Sequence, residues 1–156
     1  MKKLMALVMA FVCVLTMTSC GKPDGETFTI GTLSKVQEAG AFSEELEEVD
    51  ADTAFMLYRL ADYGLDRKDM TEAAVLRSAG ATCEEGAVLI FSDAEKADVA
   101  AEALEAYLES QIEANENYRP DEIPKLEGAI LWVASKTVLM VVPNDAAAVR
   151  NLFEYK

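Results

Sequence analysis

The chain has 156 residues, with 28 Asp and Glu against 14 Lys and Arg, a formal net charge of −14 and no histidine. So acidic a balance argues against nucleic acid, whose binding needs a basic surface, and against docking on anionic lipid headgroups. The missing histidine removes Ser-His-Asp and Cys-His catalysis and every His-based zinc or iron site.

The chain opens on a positive Met1-Lys2-Lys3, followed by uncharged, apolar residues 4–15 and then Thr16-Met17-Thr18-Ser19-Cys20-Gly21. A positive start, a short apolar stretch and small residues before a cut make a secretory signal, and the stretch is shorter than the roughly 20 apolar residues a membrane span needs. A cysteine directly after Thr18-Ser19 makes it the lipoprotein kind. Cleavage is expected between Ser19 and Cys20, with a diacylglyceryl group on the Cys20 thiol. Met17 stands three residues before the cysteine, where that pattern usually has Leu. Two or more acyl chains hold a protein stably on a membrane. The expected location is therefore the extracytoplasmic face of the cell membrane, with the lipid doing the holding. Processing removes Lys2 and Lys3 and leaves 12 basic against 28 acidic residues, a net charge of −16. Cys13 leaves with the signal and Cys20 carries the lipid, so Cys83 has no partner for an intramolecular disulfide. Its neighbours Glu84 and Glu85 oppose the thiolate a reactive cysteine needs.

Three segments follow from this: a signal peptide over 1–19, a lipidated tether over 20–31, and one α+β domain over 32–156, about the size of a single modest core. The tether is polar and rich in Gly and Pro at Gly21-Lys22-Pro23-Asp24-Gly25-Glu26. Phe28 and Ile30 suit a short extended piece, and residues 32–39 one or two helical turns. Residues 44–52 are strongly acidic, and the natural reading is a solvated face. They lack the alternating oxygen ligands, turn glycine and terminal Glu of a calcium loop. Phe55, Met56, Leu60 and Tyr63 recur at helical spacing, with Asp52 placed to cap the start and Gly64 to end it.

Residues 71–79 and 86–92 read as two strands joined by Gly80-Ala81-Thr82-Cys83-Glu84-Glu85, a hairpin connection without the second glycine or the Lys-Ser/Thr pair of a phosphate loop. Ser92 and Glu95 have the spacing of a capping box, opening a long helix to about residue 117 with Ala97, Ala101, Leu104, Leu108 and Ile112 along its apolar stripe. Residues 128–135 and 137–142 are two more strands with a tight turn at Ser135-Lys136. Asn144 is placed to cap a last helix. The expected fold is a four-stranded, antiparallel-rich sheet in ββα-ββα order, with the two later helices on one face and an N-terminal helix and signal ahead of them. The strands are apolar on both faces, at Val75 and Leu76, Leu89 and Ile90, Leu131 and Trp132, Leu139 and Met140. A sheet wet on one side alternates instead, so both faces should be covered. Either the 53–63 helix covers the second face, or part of it is a ligand groove or partner surface.

These segments resemble a family of bacterial lipoproteins catalogued as domain of unknown function 4358. The resemblance rests on Leu46-Glu47-Glu48-Val49-Asp50, Tyr63-Gly64-Leu65-Asp66 with Asp69-Met70, the run from Ser78 through Val88, Tyr118-Arg119-Pro120, Lys125-Leu126-Glu127 and the closing hairpin, over roughly residues 33–155. It lies in order and spacing rather than in one sharp motif. Arg59-Leu60-Ala61-Asp62 stands where the family passes more directly into Tyr-Gly. The resemblance implies an exported, lipid-anchored α+β domain and brings no catalytic residue.

No catalytic residue, metal ligand or cofactor is assigned. Adjacent carboxylates such as Glu84 and Glu85, or Asp121 and Glu122, usually diverge rather than face one another. Trp132 in a strand and Tyr107 on a helix suit the core. Tyr118 and Arg119, at the helix exit before Pro120, are the candidate surface for a partner or ligand. The expectation is a membrane-anchored, non-catalytic module that binds a small ligand or another protein and no nucleic acid. The alternative is a carboxylate-based cell-wall hydrolase, which needs two carboxylates across a cleft.

Overall fold

Strands that are apolar on both faces require cover on both sides, and the sheet has it. The computed structural model describes residues 27–154. The signal segment, Ser19, Cys20 and most of the tether lie outside the described residues. The sheet has five antiparallel strands, β1 (Glu47–Val49), β2 (Met70–Arg77), β3 (Glu85–Phe91), β4 (Ile130–Ala134) and β5 (Thr137–Val142), in the order β1-β2-β3-β5-β4. Around it lie α1 (Thr32–Glu38), α2 (Ala51–Leu57), α3 (Ala94–Asn115), α4 (Ile123–Glu127) and α5 (Ala146–Glu154), with 3₁₀ turns at Leu60–Tyr63, Arg67–Asp69 and Pro120–Glu122.

The count of four strands is corrected to five. The added strand is β1, inside the acidic run, where Glu47 pairs with Arg77 and Val49 with Val75. Three residues are too few to show alternation, and Glu47 and Glu48 are exposed, so the segment reads as a solvated face. Its charge is what an edge strand needs, because charged side chains there discourage pairing with another chain.

Helix placement is corrected as well. α2 and α3 share one face, where Tyr58, Leu60, Leu104 and Tyr107 pack on Val75, Ala87, Leu89 and Met140. The other face is covered by α1 and α5, through Leu33, Val36 and Val149 on Val88, Leu139 and Val141. The 53–63 segment therefore does not cover the second face, and α3 and α5 are on opposite faces rather than one. The reason is occupancy. α3 has 22 residues and, with α2, fills the first face. α5 leaves from the Val142 end of the sheet and finds only the second face open. The α2 segment also breaks early, since Arg59 is left-handed at φ 53° and the chain restarts as a 3₁₀ turn.

Three caps sit one or two residues from where they were expected. Asp50, not Asp52, caps α2 and accepts from the N–H groups of Asp52 and Thr53. Asp93, not Ser92, caps α3 by accepting from the Lys96 N–H at 3.0 Å. Asp145, not Asn144, caps α5, accepting from Ala147 at 2.9 Å and Ala148 at 3.2 Å. In each case an Asp carboxylate accepts from the orphan N–H groups of the first helical turn, where negative charge is favoured. The β4–β5 turn is the two-residue Ser135-Lys136, with Ser135 at φ 53°. Gly86 lets α1 close on the sheet: a Cβ there would lie 2.9 Å from Leu33 Cδ2.

Candidate functional site

At one end of the sheet β2 finishes, β3 begins and β5 finishes, so Arg77, Glu85 and Val142 stand side by side in register. Alternation along β3 sends Glu85 to the same face as Ala87 and Leu89, under α2 and α3. There the carboxylate is 3 % exposed. The Tyr58 hydroxyl donates to it at 2.6 Å, the Tyr107 hydroxyl at 2.8 Å and Arg77 Nε at 3.1 Å. The two tyrosine rings meet edge to face, 5.0 Å apart. Burial pushes the Glu85 carboxyl above its ordinary value, against the pull of the two tyrosines and Arg77. Burial, reinforced by the Glu85 charge, also raises both tyrosines.

Glu84 turns to the opposite face and is fully buried. Its carboxylate accepts from the Ser43 N–H at 2.7 Å, the Ser43 hydroxyl and Lys125 Nζ at 2.8 Å. Burial pushes it up, and Lys125 with Ser43 more than offsets this, leaving the group below its ordinary value. The sequence places both carboxylates in the hairpin connection; in the fold both are anchors of the sheet end. That Glu84 and Glu85 diverge is a direct result of strand geometry.

The connection between β2 and β3 is folded on itself. Ser78 Oγ accepts from the Gly80 and Thr82 N–H groups, and the Ser78 and Thr82 hydroxyls both donate to Glu44 Oε1, at 2.7 and 2.6 Å. Glu44 is thus not part of a solvated acidic face. Arg119 spans the connection from the α3 exit, donating from Nη1 to the carbonyls of Gly80 at 2.9 Å and Thr82 at 3.1 Å, while Nε donates to Asn115 at 3.0 Å. The Cys83 N–H donates to Glu122 at 2.8 Å, and burial raises the Cys83 thiol, in keeping with a turn residue.

These groups enclose a cavity of about 130 Å³ whose wall includes Arg77, Thr82, Glu85, Tyr107, Gln111 and Arg119. Tyr107 and Gln111 also border a broader groove of about 520 Å³ between the Leu60–Tyr63 turn and α3, lined by Leu57, Tyr63 and Ala106. Of the candidates named from the sequence, Tyr118 is 80 % exposed and Arg119 lies over its ring at 5.8 Å, beside the cavity. Trp132 is half-buried in the α1/α5 layer, and Tyr107 is buried. The sequence singles out Glu85 only as one of an adjacent carboxylate pair, and Arg77 not at all. The available signal was phase: Glu85, Ala87, Leu89 and Phe91 fall on one face, so Glu85 points where the core lies. Among the described residues no group of acidic side chains or cysteine is arranged to hold a metal ion.

No curated protein and no solved structure matches the chain. The model of one family, described as Domain of unknown function (DUF4358), matches residues 42–143, from the Ser43–Glu84 contact to the end of β5, and the chain belongs to that family.

Proposed function

We propose that the protein is an extracytoplasmic lipoprotein, cut between Ser19 and Cys20 and anchored by lipid on Cys20, whose domain is a non-catalytic binding module. Its ligand site is the cavity at the sheet end, with Tyr118 and Arg119 at its margin. The observation that carries the reading is Arg77. Both oxygens of Glu85 are taken up by Tyr58, Tyr107 and Arg77 Nε, whereas the Arg77 side chain remains 40 % exposed at the cavity. The Arg77 guanidinium therefore brings donor capacity to the cavity, beside the Gln111 amide on the same wall, and this suits a small ligand presenting acceptor oxygens, above all a carboxylate. A carboxylate-based hydrolase is less well supported, because Glu84 and Glu85 leave the strand to opposite faces and do not flank one cleft.

Two measurements test this. The native protein should incorporate labelled fatty acid and Cys20→Ala should not; a native protein without label, or equal labelling of the two, would refute the anchor. The full-length protein, titrated by calorimetry with an N-acetylated dipeptide bearing a free carboxyl terminus, should bind it about tenfold or more tightly than the same dipeptide amide. Equal binding of the two, or none, would refute the ligand site.

A further inference from the structure

The two edges of the sheet differ in kind. β1 is three residues long and carries exposed Glu47 and Glu48. β4, at the other edge, is Ile130-Leu131-Trp132-Val133-Ala134, with no charged residue, and four of its five side chains are only half-buried, whereas every residue of its inner neighbour β5 is buried. The register fixes which backbone groups β4 leaves over. Ala134 and Thr137 flank the two-residue turn, so residues 130, 132 and 134 bond inward to β5, and the N–H and C=O groups of Leu131 and Val133 point outward from the sheet.

We propose that β4 is a pairing edge for a second copy of this chain. Two β4 strands run antiparallel about a twofold axis through Trp132, joining the two sheets into one of ten strands. The pattern is self-complementary: Leu131 of each copy meets Val133 of the other, and the outward groups of the two residues pair. Trp132 then faces Trp132 across the axis at a non-hydrogen-bonded position, where side chains approach most closely and aromatic pairs contribute most. Each tryptophan is already held edge-on by Phe153 at 5.3 Å and still has surface to cover. The turn residue Lys136, at the end of β4, comes to the neighbourhood of the Glu127–Gly128 entry of the partner's β4, opposite in charge to Glu127. The axis is perpendicular to the sheet, so both copies keep α1 on the same side. Phe28, at the head of each domain, is packed in that layer. Both chains therefore enter from one side, as two tethers in a single membrane require; that last point alone rests on the anchor proposed above.

Trp132 is the only tryptophan in the chain, so tryptophan–tryptophan coupling can arise only between copies. The test is sedimentation equilibrium of the full-length protein in density-matched detergent, with far-ultraviolet circular dichroism on the same samples. A dimer whose tryptophan exciton couplet disappears on dilution is expected. Val133→Pro removes an outward N–H and leaves the β4–β5 ladder intact. With two such bonds lost per dimer it should weaken association about 30-fold while the monomer keeps its helical signal. Trp132→Phe should dimerise and lose the couplet. A monomer at all concentrations, a dimer without the couplet, or a Val133→Pro protein that is folded and dimerises as before would each overturn the proposal.

Discussion

Glu85 is the residue on which the sheet end turns, because three donors converge on one buried carboxylate. Glu85→Ala leaves the Tyr58 and Tyr107 hydroxyls and Arg77 Nε without an acceptor and should lower stability by roughly 2–4 kcal/mol in urea denaturation. Glu85→Gln keeps the shape and one acceptor and should lose less. The pH dependence separates charge from packing. The carboxyl is raised in the fold, so its contribution is fully present below the ordinary glutamate range and is lost as pH rises through its folded value. The advantage of the native protein over Glu85→Gln should therefore shrink from acid towards neutral pH. An advantage that grows with pH would show that the Arg77 contact outweighs burial. Arg119 acts on the neighbouring loop. Arg119→Ala frees the Gly80 and Thr82 carbonyls and should speed amide exchange over residues 79–83 while β3 and β5 stay protected.

At the scale of elements, Gly86 tests how closely α1 must approach. Gly86→Ala meets only the ends of the Leu33 and Phe42 side chains and should cost about 1 kcal/mol in thermal denaturation; Gly86→Val should cost more. Much of the element order was legible in the sequence, because α3 and the longer strands have periodicity to read. β2, β3, β4 and β5 fall within a residue or two of expectation, as does the need to cover both faces. What was not legible has identifiable causes. β1 has three residues and two charges, so no pattern could announce it. α4 is a five-residue helix with Pro124 in its first turn. The face each helix takes depends on which side is already filled, a property of the assembled sheet and not of any one helix's stripe. The site suffered in the same way. Tyr118 and Arg119 stood out as polar punctuation after a helix, whereas Arg77 and Glu85 are brought together by strand register across an eight-residue separation.

For the molecule as a whole, most of the perturbed carboxylates among the described residues shift downward. Thr82 holds Glu44, Thr53 holds Asp50, Lys96 holds Asp69 and the Lys96 N–H holds Asp93 below their ordinary values, each with its proton disfavoured in the fold. Such groups stabilise above the ordinary carboxylate range, and the effect is lost as pH falls through the folded values. Glu85 runs the other way but is one group against several. Stability should therefore fall as the solution is acidified below about pH 4, read as a decreasing urea midpoint; a midpoint that rises there would show Glu85 dominant. A net charge of −14 also repels itself, so the melting temperature should rise with added salt.

The N-terminal side of the domain has a mechanical consequence. Phe28 is pinned by its N–H to Thr137 Oγ1 at 3.0 Å and by its ring to Phe153. Between it and β1 lie Leu33 and Val36 of α1, then Ser43 on Glu84 and Glu44 on Ser78 and Thr82. Tension entering at residue 28 meets these attachments in sequence before it reaches a strand. Peeling residues 28–46 would release roughly 65 Å of chain and strip Glu44 from the loop beside the cavity while β2, β3 and β5 stay zipped. Stretching the chain from its N-terminal side would in this way loosen the loop that borders the cavity before any strand of the central sheet is pulled apart.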